Sequence, residues 1–365
     1  MHDRTTDQVV PRMPDQPAAP TTDRVAGFSS VEDVRERLRD HDYVSTSQTE
    51  TTVFLAERLQ RPVLIEGPAG VGKTELAKTL ATVTGRRLVR LQCYEGQDDT
   101  KALYEWDYGK QLLYTQLLKS RIDGLLEDTS TIEEAADRLH EHGEIFFSER
   151  FLVERPLLQA IRSPEPCVLL IDEIDRADEQ LEALMLEVLA EMQVTVPEIG
   201  TLTARTAPIV IATSNATRDV SEAFKRRCLH LSLGYPDEAR ELEIVRLRVP
   251  GIDDELRTQA VRAVRAIREL ELRKAPSISE AIDWARALVV LGARTLDRRI
   301  LEDTLTLLVK YDRDVDTVRR SIREVLDGAE GRSSRYAGDR VAPEDAANHR
   351  ATRSGGYYGS VKSTG

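Results

Sequence analysis

The stretch VLIEGPAGVGKTELAKTL (residues 63–80) passes from a short apolar run into a glycine-rich loop and then into a helical pattern. Gly67 and Gly72, with four residues between them, are followed at once by Lys73 and Thr74, the spacing of a phosphate-cradling loop between a strand and a helix. Glycines let the backbone turn its N–H groups inward, and the helix that follows adds its positive end. Lys73 is then placed to reach terminal phosphates and the Thr74 hydroxyl to ligate Mg²⁺. The expected nucleotide-binding segment therefore runs through Gly67, Pro68, Ala69, Gly70, Val71, Gly72, Lys73, Thr74 and Glu75.

Outward from this loop, apolar runs alternate with helical patterns. PVLIEG, RLVRLQC, CVLLIDE, APIVIATSN and CLHLSL read as strands. A helix from Lys73, a long helical region after RLVRLQC and a helix from Asp178 lie between them. Buried strands separated by helices imply an open, mostly parallel α/β sheet with helices on both faces. From Pro236 only helical periodicities remain. The expected organisation is a disordered segment over 1–27, an α/β core over 28–234, an all-helical domain over 235–327 and a flexible tail over 328–365. QVTVPEIGTLTA, within 193–204, alternates around Pro197 and Gly200 as a β-hairpin does.

The chain has 365 residues, with 51 Lys+Arg against 63 Asp+Glu and a net charge of -12. That balance supplies no general attraction for nucleic acid or an anionic membrane. Its 3 cysteines, Cys93, Cys167 and Cys228, lie in or beside apolar strands and suggest buried thiols in a reducing compartment. No secretory pattern and no run of membrane-spanning length is present, so a cytoplasmic location is expected. His140 and His142 in HEHG lack further ligands at metal-binding spacing and read as solvated.

The strand CVLLIDE ends in Asp172 and Glu173, where open α/β sheets present ligands. Asp172 is placed to orient a Mg²⁺ shell and Glu173 to polarise a water towards a γ-phosphate. Asn215, closing PIVIATSN, is placed to hold that water. Arg226 and Arg227 precede CLHL and project from the domain, either to engage a neighbour's phosphate or to form a surface salt bridge.

Taken together, residues 67–74, LLIDE at 169–173, ATSN at 212–215 and FKRRC at 224–228 resemble the AAA+ ATPases, in particular the MoxR family. YEWDYGKQLLYTQLL, FLVERPLLQAI and KAPSISEAIDWARAL look most like its CoxD-like carbon monoxide dehydrogenase accessory branch. The resemblance implies an AAA+ core followed by a helical lid, ATP and Mg²⁺ as cofactors, and a hexameric homo-oligomeric ring. It also implies a protein client, a molybdenum hydroxylase or a von Willebrand factor A domain protein. By the same likeness Lys73 and Thr74 contact nucleotide and metal, Asp172 and Glu173 are the metal-orienting and catalytic carboxylates, and Asn215 is the first sensor. Arg227 best matches the arginine finger, with Arg226 second. The lid departs from the family in having Ser279 and Glu280 where a second-sensor arginine is expected, leaving Lys274, Arg286 or neither for that role. The hairpin faces the ring axis in such proteins, and its tip at 197–200, with Ile199, is the expected partner contact. A DNA-associated motor or loader and a nucleotide-gated scaffold share the nucleotide motifs. The acidic total and a hairpin without Lys or Arg weigh against the first, and Glu173 with Asn215 against the second.

Overall fold

The computed structural model describes residues 27–97, 99–119, 131, 134, 148–197 and 199–332. Among them the strands, numbered in chain order, are β1 (Val63–Glu66), β2 (Arg87–Gln92), β3 (Tyr104–Trp106), β4 (Leu152–Glu154), β5 (Cys167–Asp172), β6 (Gln193–Val196), β7 (Gly200–Thr203), β8 (Ile209–Ser214) and β9 (Leu229–Ser232). Five form one parallel sheet in the order β2-β5-β8-β1-β9. β3 pairs antiparallel with β4, and β6 with β7. The chain divides into two compact units, one comprising residues up to Pro68 and Gly72–Gly234, the other Ala69–Val71 and the residues from Tyr235 onward.

The central strands are apolar up to their carboxyl ends because both faces of the sheet are covered. Side chains alternate across a strand, so Leu64, Leu169, Ile171, Val210 and Ala212 enter one core. Val63, Ile65, Val168, Leu170, Ile209 and Ile211 enter the other. The second core also takes Val34 and Leu38 from the helix Val31–Asp40, Val53 and Ala56 from Ser47–Leu59, and Leu76 and Leu80 from Lys73–Val83. The first takes Leu157, Leu158 and Ile161 from Pro156–Ile161, with Leu181, Met185 and Val188 from Glu179–Glu191. All three cysteines are free and buried, and burial pushes the thiols of Cys93 and Cys228 up to about 12.

The long helical region expected between β2 and β5 is interrupted. The helix Asp99–Leu103 runs straight into β3, and Asp107 then caps a new helix, Tyr108–Leu117, by accepting from the Lys110 N–H at 2.9 Å. Pro156, at the first turn of Pro156–Ile161, marks another start. The aromatic cluster divides accordingly. Tyr104 is buried and meets Trp106 edge to face at 5.9 Å, Tyr114 meets Phe151 at 5.2 Å, and Tyr108 is exposed.

The second unit is helical: Glu238–Arg248, Asp254–Arg268, Ile278–Val290, Arg298–Leu308, Asp312–Arg320 and Ile322–Ala329. Trp284 is fully buried in its core and donates its indole N–H to Thr304 Oγ1 at 2.8 Å. Arg268 grips the buried Glu241 carboxylate with two bonds, 2.9 and 2.8 Å, and donates to the Pro276 carbonyl at 2.7 Å. A fork of this kind fixes two helices and a loop to one another.

Candidate active site

β1 ends at Glu66, and the chain turns through Gly67, whose φ of +157° and close approach to the Leu233 carbonyl leave no room for a Cβ. Gly72, at φ +98°, opens the helix that starts at Lys73. The Lys73 side chain folds back over this turn. It donates to the Gly67 and Pro68 carbonyls at 2.6 and 2.7 Å and to Asn215 Oδ1 at 2.9 Å, which occupies all three ammonium protons. Burial pushes the Lys73 pKa below the ordinary lysine value, a shift opposed by the nearby charges of Asp175, Asp172 and Glu173.

Asp172, only 4% exposed at the end of β5, gathers three donors. Thr74 Oγ1 reaches its Oδ1 at 3.0 Å, Thr213 Oγ1 reaches the same oxygen at 2.6 Å, and Arg90 binds Oδ2 at 2.6 Å. Glu173 follows in the left-handed region, at φ 58° and ψ 52°, which is uncommon for a residue with a Cβ. Its N–H donates to Thr213 Oγ1 at 3.0 Å, so one hydroxyl ties both acidic residues to β8. The Glu173 carboxylate receives Gln92 at 3.2 Å, Arg176 at 3.1 Å and the Asn215 amide at 3.4 Å.

The structure thus brings Lys73, Thr74, Asp172, Glu173 and Asn215 into one bonded cluster at the carboxyl ends of β1, β5 and β8. Arg226 and Arg227 stand elsewhere. They end the short helix Glu222–Arg227 and precede β9, whose Leu229 pairs with Val63 at the start of β1. The sheet is parallel, so the arginines lie at its amino end. One four-residue strand, about 13 Å at ~3.3 Å per residue, separates that end from the cluster. Both side chains are exposed, and neither forms an ion pair among the described residues.

Arg90, Gln92, Thr213 and Arg176 complete the cluster and are absent from the motif-based reading. The polar residues at 90 and 92 in RLVRLQ share one face of β2, and Thr213 interrupts an otherwise apolar strand. Those were the available signals. Their meaning depends on pairing, since Gln92 stands opposite Asp172 only once β2 is known to border β5.

Within the helical unit, Lys274 donates to Glu280 Oε1 at 3.2 Å, and Glu280 closes a capping box with Ser277. Arg286 pairs with Asp283 at 3.4 Å and donates to the Arg248 carbonyl at 3.2 Å. Both second-sensor candidates therefore have partners inside their own unit. At the hairpin, Ile199 is half-buried and packs on the α/β core, so it is not the projecting grip expected from the sequence. The outward pair is Thr195 and Thr201, hydroxyls 3.2 Å apart. Glu198, the histidines of HEHG and the two terminal segments over 1–26 and 333–365 lie outside the described residues.

The strand order and the glycine loop are those of a nucleotide-binding α/β core, and residues 62–228 match the family model of the AAA domain, dynein-related subfamily. The chain carries an AAA-type domain and is an ATPase. Over 330 residues this ATPase is 27% identical to the gas vesicle ATPase GvpN of Haloferax mediterranei, an alignment spanning 85% of this chain and 87% of that protein. A 74-residue stretch is 36% identical to Lon protease 3 of Sorangium cellulosum, spanning 18% of this chain and 9% of that protein. A point mutant of RuvB from Thermotoga maritima aligns structurally with a TM-score of 0.43 at 15% identity, covering 85% of each chain. No helix among the described residues is long and apolar enough to cross a membrane.

Proposed function

We propose that this ATPase is a MoxR-type machine whose subunits assemble into a ring, share active sites across their interfaces and remodel a protein client. The observation that carries the proposal is the separation between the bonded cluster of Lys73, Asp172, Glu173 and Asn215 and the exposed Arg226 and Arg227 at the other end of the same sheet. An arginine that cannot serve its own site and has no ion-pair partner among the described residues suits the nucleotide of a neighbour.

The chemistry follows from the residues. Lys73 holds the terminal phosphate oxygens, and Asn215 orients the attacking water. Glu173 takes that water's proton as oxygen bonds to the γ-phosphorus and the bond to the β,γ-bridging oxygen breaks. Arg227 of the neighbouring subunit, with Arg226 second, stabilises the charge on the transferring group. Thr74 and Asp172 present hydroxyl and carboxylate oxygens 3.0 Å apart, hard donors of the kind Mg²⁺ takes, and these would hold it. Bound there, the ion neutralises charge on the phosphates.

For the client, the CoxD-like likeness supports a molybdenum hydroxylase or a von Willebrand factor A domain protein, whereas the similarity to GvpN supports a gas vesicle component. The hairpin sequence over 193–204 has no Lys, Arg or aromatic residue to form a platform for DNA, and the net charge of -12 weighs the same way. The test is affinity capture from native lysate with Glu173→Gln, which should retain ATP and hence the bound client. Recovery of a molybdenum enzyme subunit or a von Willebrand factor A protein supports the CoxD-like client, and recovery of a gas vesicle protein replaces it. Capture of DNA, with severalfold stimulation of hydrolysis by DNA at physiological salt, would overturn the protein-remodelling reading.

A further inference from the structure

We infer that Arg61 is a positioning residue for the interfacial arginines: its guanidinium clamps the carbonyls that end their helix and so sets the direction in which Arg226 and Arg227 leave the domain. The inference rests on the reading that Arg227 acts across a subunit interface.

The helix Glu222–Arg227 has only six residues, so most of its backbone carbonyls lack partners within it. Its beginning is anchored by Ser221, which accepts from the Phe224 N–H at 3.2 Å, and by the buried Phe224 side chain. Its end is anchored by Arg61. Arg61 Nε donates to the Arg227 carbonyl at 3.2 Å, and one terminal nitrogen donates to the carbonyls of Arg226 and Cys228 at 2.8 and 3.3 Å. Three consecutive carbonyls at a helix carboxyl end carry negative partial charge, and a cation there is favoured. A guanidinium offers donors in two directions at once, which a lysine ammonium on a flexible stem does not reproduce.

Arg61 is itself held firmly. Gln60 before it takes the left-handed conformation at φ 51°, closing the helix Ser47–Leu59, and the Arg61 N–H donates to the Ala56 carbonyl at 3.1 Å. The Pro62 carbonyl after it accepts the Leu229 N–H at 2.7 Å, tying the starts of β1 and β9 together. The clamp thus runs from the end of the helix Ser47–Leu59, across the sheet edge, to the backbone beneath Arg226 and Arg227. With those two side chains exposed and without ion-pair partners among the described residues, their aim depends on that backbone. Arg61 touches no group of its own nucleotide cluster, so its effect should appear in the neighbour's turnover.

Mixed assemblies test this directly. Lys73→Ala subunits cannot use nucleotide but can supply Arg227, and Arg227→Ala subunits hold nucleotide but cannot supply the arginine; their mixture should recover activity. Adding Arg61→Ala to the Lys73→Ala subunit should cut that recovered turnover about tenfold, because small misplacements of a catalytic group are costly. Adding Arg61→Ala to the Arg227→Ala subunit should leave it unchanged within about twofold, with the same KM for ATP. Arg61→Lys in the supplying subunit should restore little of the loss. Equal loss in both arrangements would mark a general structural role and overturn the inference, as would no loss in either. No recovery in the parent mixture, with subunit exchange shown by fluorescence transfer, overturns the shared-site reading and the Arg61 assignment together.

Discussion

At the carboxyl ends of β1, β5 and β8, Lys73, Asp172 and Glu173 are all engaged by neighbours in their own unit. At the amino end of β9, Arg226 and Arg227 are held, among the described residues, only through their backbone and present exposed side chains. Both ends belong to one sheet and differ in self-sufficiency. The first is a set of acids, amide and ammonium that orders itself through Thr213 and Asn215. The second is a pair of cations whose charge is directed away from the chain. On the proposed reading, a site divided in this way would be inactive until subunits meet, and assembly should be a condition of turnover.

The comparison breaks most sharply at Arg227. Arg227→Ala should lower kcat by about 10³, the scale of an arginine supplied in trans, while ATP affinity by equilibrium titration stays within a few-fold. A large loss of affinity with kcat retained would mean that the arginine belongs to ground-state binding. At the opposite end, Glu173→Gln should slow hydrolysis by about 10², with tight ATP binding kept, because the change removes a proton acceptor but neither the loop nor the Thr74 and Asp172 oxygens. Rapid single-turnover hydrolysis in that variant would remove Glu173 from its role.

The fold class was legible because apolar runs of strand length alternate with helical periods, and a glycine loop sits at the first strand end. The acidic pair at 172 and 173 and the amide at 215 were legible for the same reason, each closing a strand in sequence. Strand order was not legible from local pattern, and so neither were Arg90, Gln92 and Thr213, which join the site only through lateral pairing of β2, β5 and β8. The interruption by β3 and β4 was hidden because its partners lie about 50 positions apart and each is only three residues long. Ile199 was read as projecting because a hairpin tip is usually solvated, whereas here it turns back onto the α/β core.

Smaller effects sharpen the contrast. Asn215→Ala removes one acceptor from Lys73 and one donor from Glu173, and should reduce kcat about tenfold with little change in stability. Unfolding midpoints and ATP turnover on the same preparation check both halves of that statement. Asp175 offers a pH readout. Burial raises its pKa, but the Thr217 hydroxyl and N–H, at 2.6 and 3.1 Å, lower it further, leaving the carboxyl below the ordinary value of 3.8. Its stabilisation is therefore fully present above that value and is lost as pH falls through the depressed folded value. Thr217→Ala should cost about 1 kcal/mol in urea unfolding near neutral pH, with the difference from the parent shrinking as the carboxyl is protonated. A constant difference across the acid range would exclude that linkage.

The shared site is tested most directly by titrating Arg227→Ala subunits with increasing Lys73→Ala subunits at constant total protein and saturating ATP and Mg²⁺. Each preparation alone should be nearly inactive. The expected result is a rise in phosphate release to a maximum at intermediate ratio and a fall at either extreme, since each working site needs one subunit of each kind. Activity that stays at the level of the two separate preparations at every ratio, with exchange between subunits demonstrated, would contradict the account.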